Sequence, residues 1–240
     1  MKTFVVNLDK NHDRMEFMKD QLARLGIVYD RVPAVYGKMM SPEELECDFA
    51  RTRSLWAQRR RLSLSEIGCS LSHIKIYRAM IEGNIPVALV LEDDVVLDSR
   101  LQEVVSKIES FISPSQPQIV MLSHLGGHDE NKVGVERVHS CTCTDGYVVN
   151  LPAAQLIYKA NYPVLTVADK WDRWERLFGL ETYRAYPLTV RQDNDMFTSE
   201  MWSKRSPEDI RAIRRKAVLR RPLKLVYIIL DRLCFWLTGR

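Results

Sequence analysis

The chain has 240 residues, 46% of them hydrophobic and 28% charged, which excludes a disordered polymer and fits one large α/β domain or two small ones with a packed core. Net charge is only +4, yet basic side chains crowd the last thirty residues, and this uneven distribution points to a local anionic partner. The five cysteines, Cys47, Cys69, Cys141, Cys143 and Cys234, are odd in number and scattered, a pattern of reduced thiols rather than of a disulfide framework.

Residues Met1 to Asp9 turn polar too early for a secretory signal, and no later stretch reaches the roughly 18 uninterrupted apolar residues of a spanning helix. The expectation is a cytosolic chain. Thr3 to Leu8 is the first strand candidate, followed by a helix from Asn11 to Leu25 with Met15, Met18, Leu22 and Leu25 on one face and Gly26 as its stop. Val28 to Val35 is read as the next strand. In Ser41-Pro42-Glu43-Glu44 the N-cap, first-turn proline and capping-box glutamate stand in order, so a helix begins there. Arg51 to Arg61 holds five arginines around Leu55 and Trp56 without a clean period and is read as a loop or a surface helix able to close over an anion. Ser63-Leu64-Ser65-Glu66 is a second capping box, opening a helix with Ile67, Leu71, Ile74, Tyr77 and Ile81 at helical spacing and Gly83 at its end.

That helix leads into Val87-Ala88-Leu89-Val90-Leu91-Glu92-Asp93-Asp94, an apolar run that ends without a spacer in three carboxylates. A short continuous apolar run has the length of a strand buried on both faces, and open α/β sheets bind ligands beyond the carboxyl ends of such strands. Crowded carboxylates repel one another, and a divalent cation with oxygen preference relieves the repulsion while holding an anionic ligand such as a diphosphate. The plainer alternative is a solvated turn with an aspartate capping a helix.

Beyond the triplet, Leu101 to Ile112 is read as an amphipathic helix, Gln118 to Leu122 as a strand, and Ser123 to Asp145 as a long polar loop. Within it, His139, Cys141 and Cys143 look like part of a zinc site. The two-residue spacing and the missing second pair instead suggest buried or strand thiols. Tyr147 to Leu151 is strand-like, with Pro152 opening a helix. Alternation of this kind implies a mostly parallel sheet with helices on both faces. With no repeat or low-complexity linker, residues 1–203 are expected to form one domain, and 204–240 a tail. The tail pairs a capped basic helix bearing Arg211, Arg214, Arg215, Lys216, Arg220 and Arg221 with an apolar stripe of Leu223, Val226, Tyr227, Leu230, Leu233, Cys234 and Leu237. It is read as basic amphipathic helices on an anionic membrane surface. The alternative is a helix packed on the domain. No nucleic-acid module accompanies the arginines, so no nucleic-acid partner is expected.

Four separated segments, in order, resemble glycosyltransferase family 25. They are Phe4-Val5-Val6-Asn7-Leu8-Asp9 with Asp13-Arg14, Pro33-Ala34-Val35-Tyr36-Gly37, Leu64-Ser65-Glu66-Ile67-Gly68-Cys69-Ser70-Leu71-Ser72-His73, and Ala88 through Val95. The chain departs from the family at Tyr36, where an acidic residue is usual, and lacks any histidine after His139. Weaker similarity continues in Tyr147-Val148-Val149, in Pro163 through Trp171 and in Val190-Arg191-Gln192. The resemblance implies a GT-A-like α/β fold and inverting transfer of a hexose, typically galactose from UDP-galactose, to a lipopolysaccharide or lipooligosaccharide acceptor. The enzyme would then work on the cytosolic face of a bacterial inner membrane, with Mn²⁺ or Mg²⁺ as cofactor and a lipid-linked oligosaccharide as acceptor partner.

On that resemblance Asp94 is expected to ligate the metal, with Glu92 on the metal through water or beside the ribose together with Asp93. Asn7 and Asp9 are expected near the uracil or ribose, Arg14 near the donor phosphates, Ser72 and His73 near the diphosphate or sugar, and Gln192 with Arg191 closing the donor site. An inverting transfer needs a carboxylate base within reach of the acceptor hydroxyl. Asp169 matches an aspartate that recurs in the family, with Asp145 and Asp172 as alternates. Trp171 and Trp174 are expected to face a sugar ring or to pack in the core. Competing readings are a catalytically inactive glycan-binding or scaffold protein, a glucosyl- or N-acetylhexosaminyltransferase, and a dinucleotide-binding oxidoreductase. The last is disfavoured because no Gly-x-Gly-x-x-Gly follows a strand and no phosphate-binding Gly-x-x-x-x-Gly-Lys occurs.

Overall fold

The computed structural model describes residues 1–58, 60–124, 132–139 and 141–192. The tail helices and Cys234 lie outside the described residues. Chain order begins with β1 (Lys2–Asn7), α1 (His12–Arg24), β2 (Asp30–Pro33), α2 (Pro42–Asp48), α3 (Arg51–Gln58) and α4 (Leu64–Glu82). It continues through β3 (Val87–Glu92), β4 (Val95–Leu97), α5 (Leu101–Phe111), β5 (Gln118–Met121), β6 (Gly134–Arg137), β7 (Gly146–Asn150), α6 (Leu151–Asn161), α7 (Trp171–Phe178), β8 (Glu181–Tyr186) and β9 (Val190–Gln192). No helix among these residues is long and apolar enough to cross a membrane.

Among the described residues seven strands form one sheet in the order β2-β1-β3-β7-β5-β8-β6. The expected mostly parallel sheet is corrected to a mixed one: β1–β2, β1–β3 and β5–β8 are parallel, whereas β3–β7, β5–β7 and β6–β8 are antiparallel. The reversal comes from β7, which returns between β3 and β5 and brings residue 145 to the carboxyl end of β3. Buried strands look alike in sequence whichever way they run, because both faces are covered and alternation is lost.

Strand periodicity sorts the core onto two faces. Ala88 and Val90 of β3, with Tyr147 and Val149 of β7, pack beneath Leu71, Tyr77 and Met80 of α4 and Ala154 and Ile157 of α6. Leu89, Leu91 and Val148 face the other way, onto Met18 and Leu22 of α1 and Leu101, Val104 and Ile108 of α5. The helices begin where the sequence says. Ser41 and Ser63 each accept a hydrogen bond from the backbone N–H three residues on, and Glu44 and Glu66 close the two capping boxes. Each cap contributes about 1 kcal/mol.

Two expectations change, and for the arginine-rich stretch the helix alternative holds. The strand expected over 28–35 shortens to Asp30–Pro33, and Val28 is exposed. The arginine-rich stretch resolves into α3 followed by a bend at Arg60, whose guanidinium holds the Glu66 carboxylate in two hydrogen bonds of 2.7 Å. The polar stretch from 123 to 145 contains β6, an edge strand paired antiparallel with β8. Its Glu136 and Arg137 suit an exposed sheet edge but hide the strand from a hydrophobic pattern.

A close backbone contact fixes the loop after β2 against α4. A Cβ on Gly37 would lie 1.8 Å from the Leu64 carbonyl oxygen, and one on Gly68 would lie 2.4 Å from that of Val35. Both positions admit only glycine in this arrangement. Ser72 completes the join: its hydroxyl donates to the Gly68 carbonyl at 2.7 Å and accepts from the Val35 N–H at 2.8 Å.

Candidate functional site

The carboxyl ends of β1, β2 and β3 lie side by side. Register aligns Asn7 with Pro33 and Val6 with Glu92, so the acidic triplet begins where β1 ends. A cleft opens here with about 770 Å³ of space between atoms, part of it open to solvent; its lining includes Asn11, Tyr36, Cys69, His73 and all three acidic residues.

Each carboxylate has its own environment. Asp93 accepts from the Asn7 amide at 2.6 Å and from Arg14 at 3.1 Å. Asp94 accepts through Oδ2 from Arg14 at 3.4 Å and Gln192 at 3.2 Å, while its buried Oδ1 has no partner among the described residues. Burial, then the charge of Glu92, pushes the Asp94 carboxyl up to about 6. Glu92 accepts from the Thr144 hydroxyl and faces His73 Nε2 at 3.3 Å. Burial acts to raise its pKa, but the hydrogen bonds and charges around it, His73 foremost, hold the Glu92 carboxyl below its ordinary range. His73 Nδ1 meets the Tyr147 hydroxyl at 2.8 Å, which meets that of Tyr77 at 2.9 Å.

The loop before β7 adds a fourth carboxylate. The Asp145 carbonyl accepts from the Glu92 N–H at 2.9 Å, and its side chain accepts from the Ser123 hydroxyl at 2.8 Å. Burial, followed by the charge of Glu92, pushes the Asp145 carboxyl up to about 7. Gln192 arrives on the short β4–β9 ribbon, where it aligns with Val95. Gly146 allows that approach: a Cβ there would lie 2.7 Å from the Val190 side chain.

The structure thus brings together Asn7, Arg14, His73, Glu92, Asp93, Asp94, Asp145 and Gln192. Asp9 does not join them. Its exposed carboxylate pairs with Arg31, which also donates to the Asn7 side-chain oxygen at 2.8 Å. Ser72 lines the cleft, but its hydroxyl is engaged by the Gly68–Val35 join. Asp169 stands beside the loop before β7, with Oδ2 3.5 Å from the Cys143 N–H. Asp172 lies on α7 and pairs with Arg176 one turn on. Trp171 and Trp174 are fully buried, edge to face with one another at 5.2 Å, so of the two expectations for them the packed core holds. Arg191 is exposed. Thr144, Ser123 and Arg31 hold site residues in place, as does Tyr147, and the sequence marks none of them for that role. Only their closeness in space marks them, and no spacing or period does.

A family model described as "Glycosyltransferase family 25 (LPS biosynthesis protein)" matches residues 1–141. Procollagen galactosyltransferase 1-B of Xenopus laevis is 30% identical over 238 residues, spanning 84% of this chain and 39% of that protein. A glycosyltransferase 25 family member of Drosophila melanogaster is 27% identical over 163 residues, 64% of this chain and 27% of its own length. Human procollagen galactosyltransferase 2 is 28% identical over 173 residues, covering 66% and 27%. The chain therefore spans well under half the length of these relatives. A solved glycosyltransferase involved in glycosylation of the major capsid of PBCV-1 aligns over 67% of the chain at 12% identity and a TM-score of 0.33, too slight a likeness to carry an argument.

Proposed function

This chain belongs to glycosyltransferase family 25, and from that premise we propose that it is an inverting hexosyltransferase that moves galactose from UDP-galactose to a lipopolysaccharide-type saccharide. The observation that carries the proposal is the Asp94 Oδ1 just past the end of β3, buried and without a partner among the described residues, in a cleft that Arg14 and Asn11 also line. An unsatisfied buried carboxylate oxygen is costly and calls for a cation or a donor from a ligand. The galactose donor is supported by relatives named as procollagen galactosyltransferases, and the acceptor class by the family description. A GT-A-like architecture is supported by the acidic triplet at the carboxyl end of a central strand.

The residues fit a hard divalent cation, because Asp94, with Asp93 and Glu92 beside it, offers carboxylate oxygens of which one has no other partner. Mn²⁺ or Mg²⁺ bound there would supply positive charge to the departing nucleoside diphosphate. Arg14, already 3.1 Å from Asp93, adds a guanidinium to the same end of the cleft and binds the donor phosphates there. The Arg31–Asn7 bond of 2.8 Å fixes the Asn7 amide, so that Asn7 and Asp93 present a rigid polar edge to the ribose. We assign Asp169 as the base that takes the proton from the acceptor hydroxyl, since it is more open to solvent than the buried Asp145. His73 orients Glu92.

The test is a panel of UDP-galactose, UDP-glucose and UDP-N-acetylhexosamines, read as hydrolysis and as transfer to truncated lipooligosaccharide. Turnover with UDP-galactose above the others is expected. No turnover of any donor, together with no UDP binding by calorimetry, overturns the reading. The basic, apolar-striped tail supports attachment to the cytosolic leaflet. Deleting residues 205–240 is expected to abolish co-sedimentation with anionic vesicles, and unchanged sedimentation refutes the attachment.

A further inference from the structure

Cys69, His73 and Glu92 place a thiol, an imidazole and a carboxylate around one point. Their ligand atoms all lie within 4.8 Å of one another, and all three residues line the cleft. Cys69 and His73 are one helical turn apart on α4, a nineteen-residue helix, so they face the same way from a rigid element. Glu92 meets them from the end of β3. Ligands around a tetrahedral zinc ion are about 3.5 Å apart, so closing this set on a cation takes a side-chain adjustment of about 1 Å.

The surroundings of His73 strengthen the case. Metal-bound histidines commonly have the second ring nitrogen held by a buried partner, which fixes the tautomer and the ring. Here Nδ1 is held at 2.8 Å by Tyr147, backed by Tyr77 at 2.9 Å, and all three side chains are buried. Nε2, the other nitrogen, is the one that faces Glu92, and Cys69 stands one turn before it. With a cation bound, Nδ1–H would donate to Tyr147, which donates on to Tyr77, and the Nε2–H that faces Glu92 without the cation would give way to a lone pair aimed at the shared point.

We propose that Cys69, His73 and Glu92 form a binding position for a borderline-soft divalent cation such as Zn²⁺, separate from the all-oxygen position at Asp94. A thiolate and an imidazole select zinc over magnesium, calcium or manganese. Three protein ligands leave the fourth coordination place toward the cleft. On loading, the cation forms a bond to Cys69 Sγ and displaces the thiol proton to solvent, while Nε2 and a Glu92 oxygen supply their lone pairs. The position stands on side-chain geometry and does not depend on what the cleft transfers, although it shares Glu92 with the proposed donor site.

Cobalt substitution tests it on the full chain. Stripped protein titrated with Co²⁺ is expected to develop a thiolate-to-cobalt charge-transfer band saturating at one equivalent, which Zn²⁺ bleaches. Cys69→Ser is expected to lose the band while keeping the wild-type circular dichroism, and Asp94→Ala is expected to keep it. His73→Asn, which retains the thiol, is expected to weaken cobalt binding at least about tenfold. The proposal is overturned by absence of the band in the wild type, by its persistence in Cys69→Ser, by its loss in Asp94→Ala, or by unchanged affinity in His73→Asn. Because the readout is an absorption band without nucleotide, its failure is distinct from a failure of the transferase reading.

Discussion

Asp145→Asn is expected to stabilise the protein, and to do so more as pH rises. The Asp145 carboxyl is pushed from its ordinary 3.8 up to about 7, first by burial and then by Glu92. The unfolded chain therefore gives up this proton at lower pH than the folded one, and between those two values the native state binds more protons. Stability from this group is full below the ordinary value and is lost as pH rises toward 7. At about 1.36 kcal/mol per pH unit, the cost at pH 8 is ~4 kcal/mol, of which ~2 kcal/mol accrues between about pH 5.5 and pH 8. Asparagine keeps the oxygen that accepts from Ser123 and removes the charge. Thermal unfolding followed by circular dichroism in chelator is expected to show the variant gaining about 4–8 °C on the wild type between those pH values. Parallel wild-type and variant curves across that range would refute the argument.

The other expectations are local. Asp94→Ala should reduce transfer at least about 100-fold, ~2.7 kcal/mol, with the far-ultraviolet spectrum unchanged, and undiminished turnover would remove Asp94 from the reaction. Asp169→Asn should retain UDP binding by calorimetry yet lose most of kcat. If Asp145→Asn instead loses kcat, along with a limb near pH 7 in the wild-type rate profile, the base is Asp145. Gly68→Ala would force a Cβ to within 2.4 Å of the Val35 carbonyl oxygen. A loss of about 3 kcal/mol is expected from such overpacking, read as a fall in Tm of about 6 °C or more, and an unshifted Tm would show that the loop can yield.

What could be read from the sequence follows from how local each signal is. The two capping boxes, the apolar face of α1 and the apolar run before Glu92 each lie within one turn or one strand, and all appear as expected. The direction of β7 and the polar edge strand β6 were missed because pairing partners are set by the whole sheet. Within the site, Glu92, Asp93 and Asp94 stood out by their crowding. Asn7, Arg14, His73 and Gln192 came only through the family resemblance, since an isolated asparagine or histidine has many structural uses. Thr144 leaves no signal and Tyr147 shows only as the start of a strand, because each acts on a residue more than fifty positions away.

The placement of β7 has a consequence for the chain as it is made. β3 has β1 along one side and β7 along the other, so a polypeptide that has emerged only through residue 141, the span matching the family model, leaves the apolar strand Val87–Glu92 with a bare edge. At usual rates of synthesis, β7 emerges about 3–10 s after β3. For that interval the flank of β3 is an open, aggregation-prone border, bounded at its carboxyl end by the charges of Glu92, Asp93 and Asp94, residues of the kind that discourage pairing with another nascent strand.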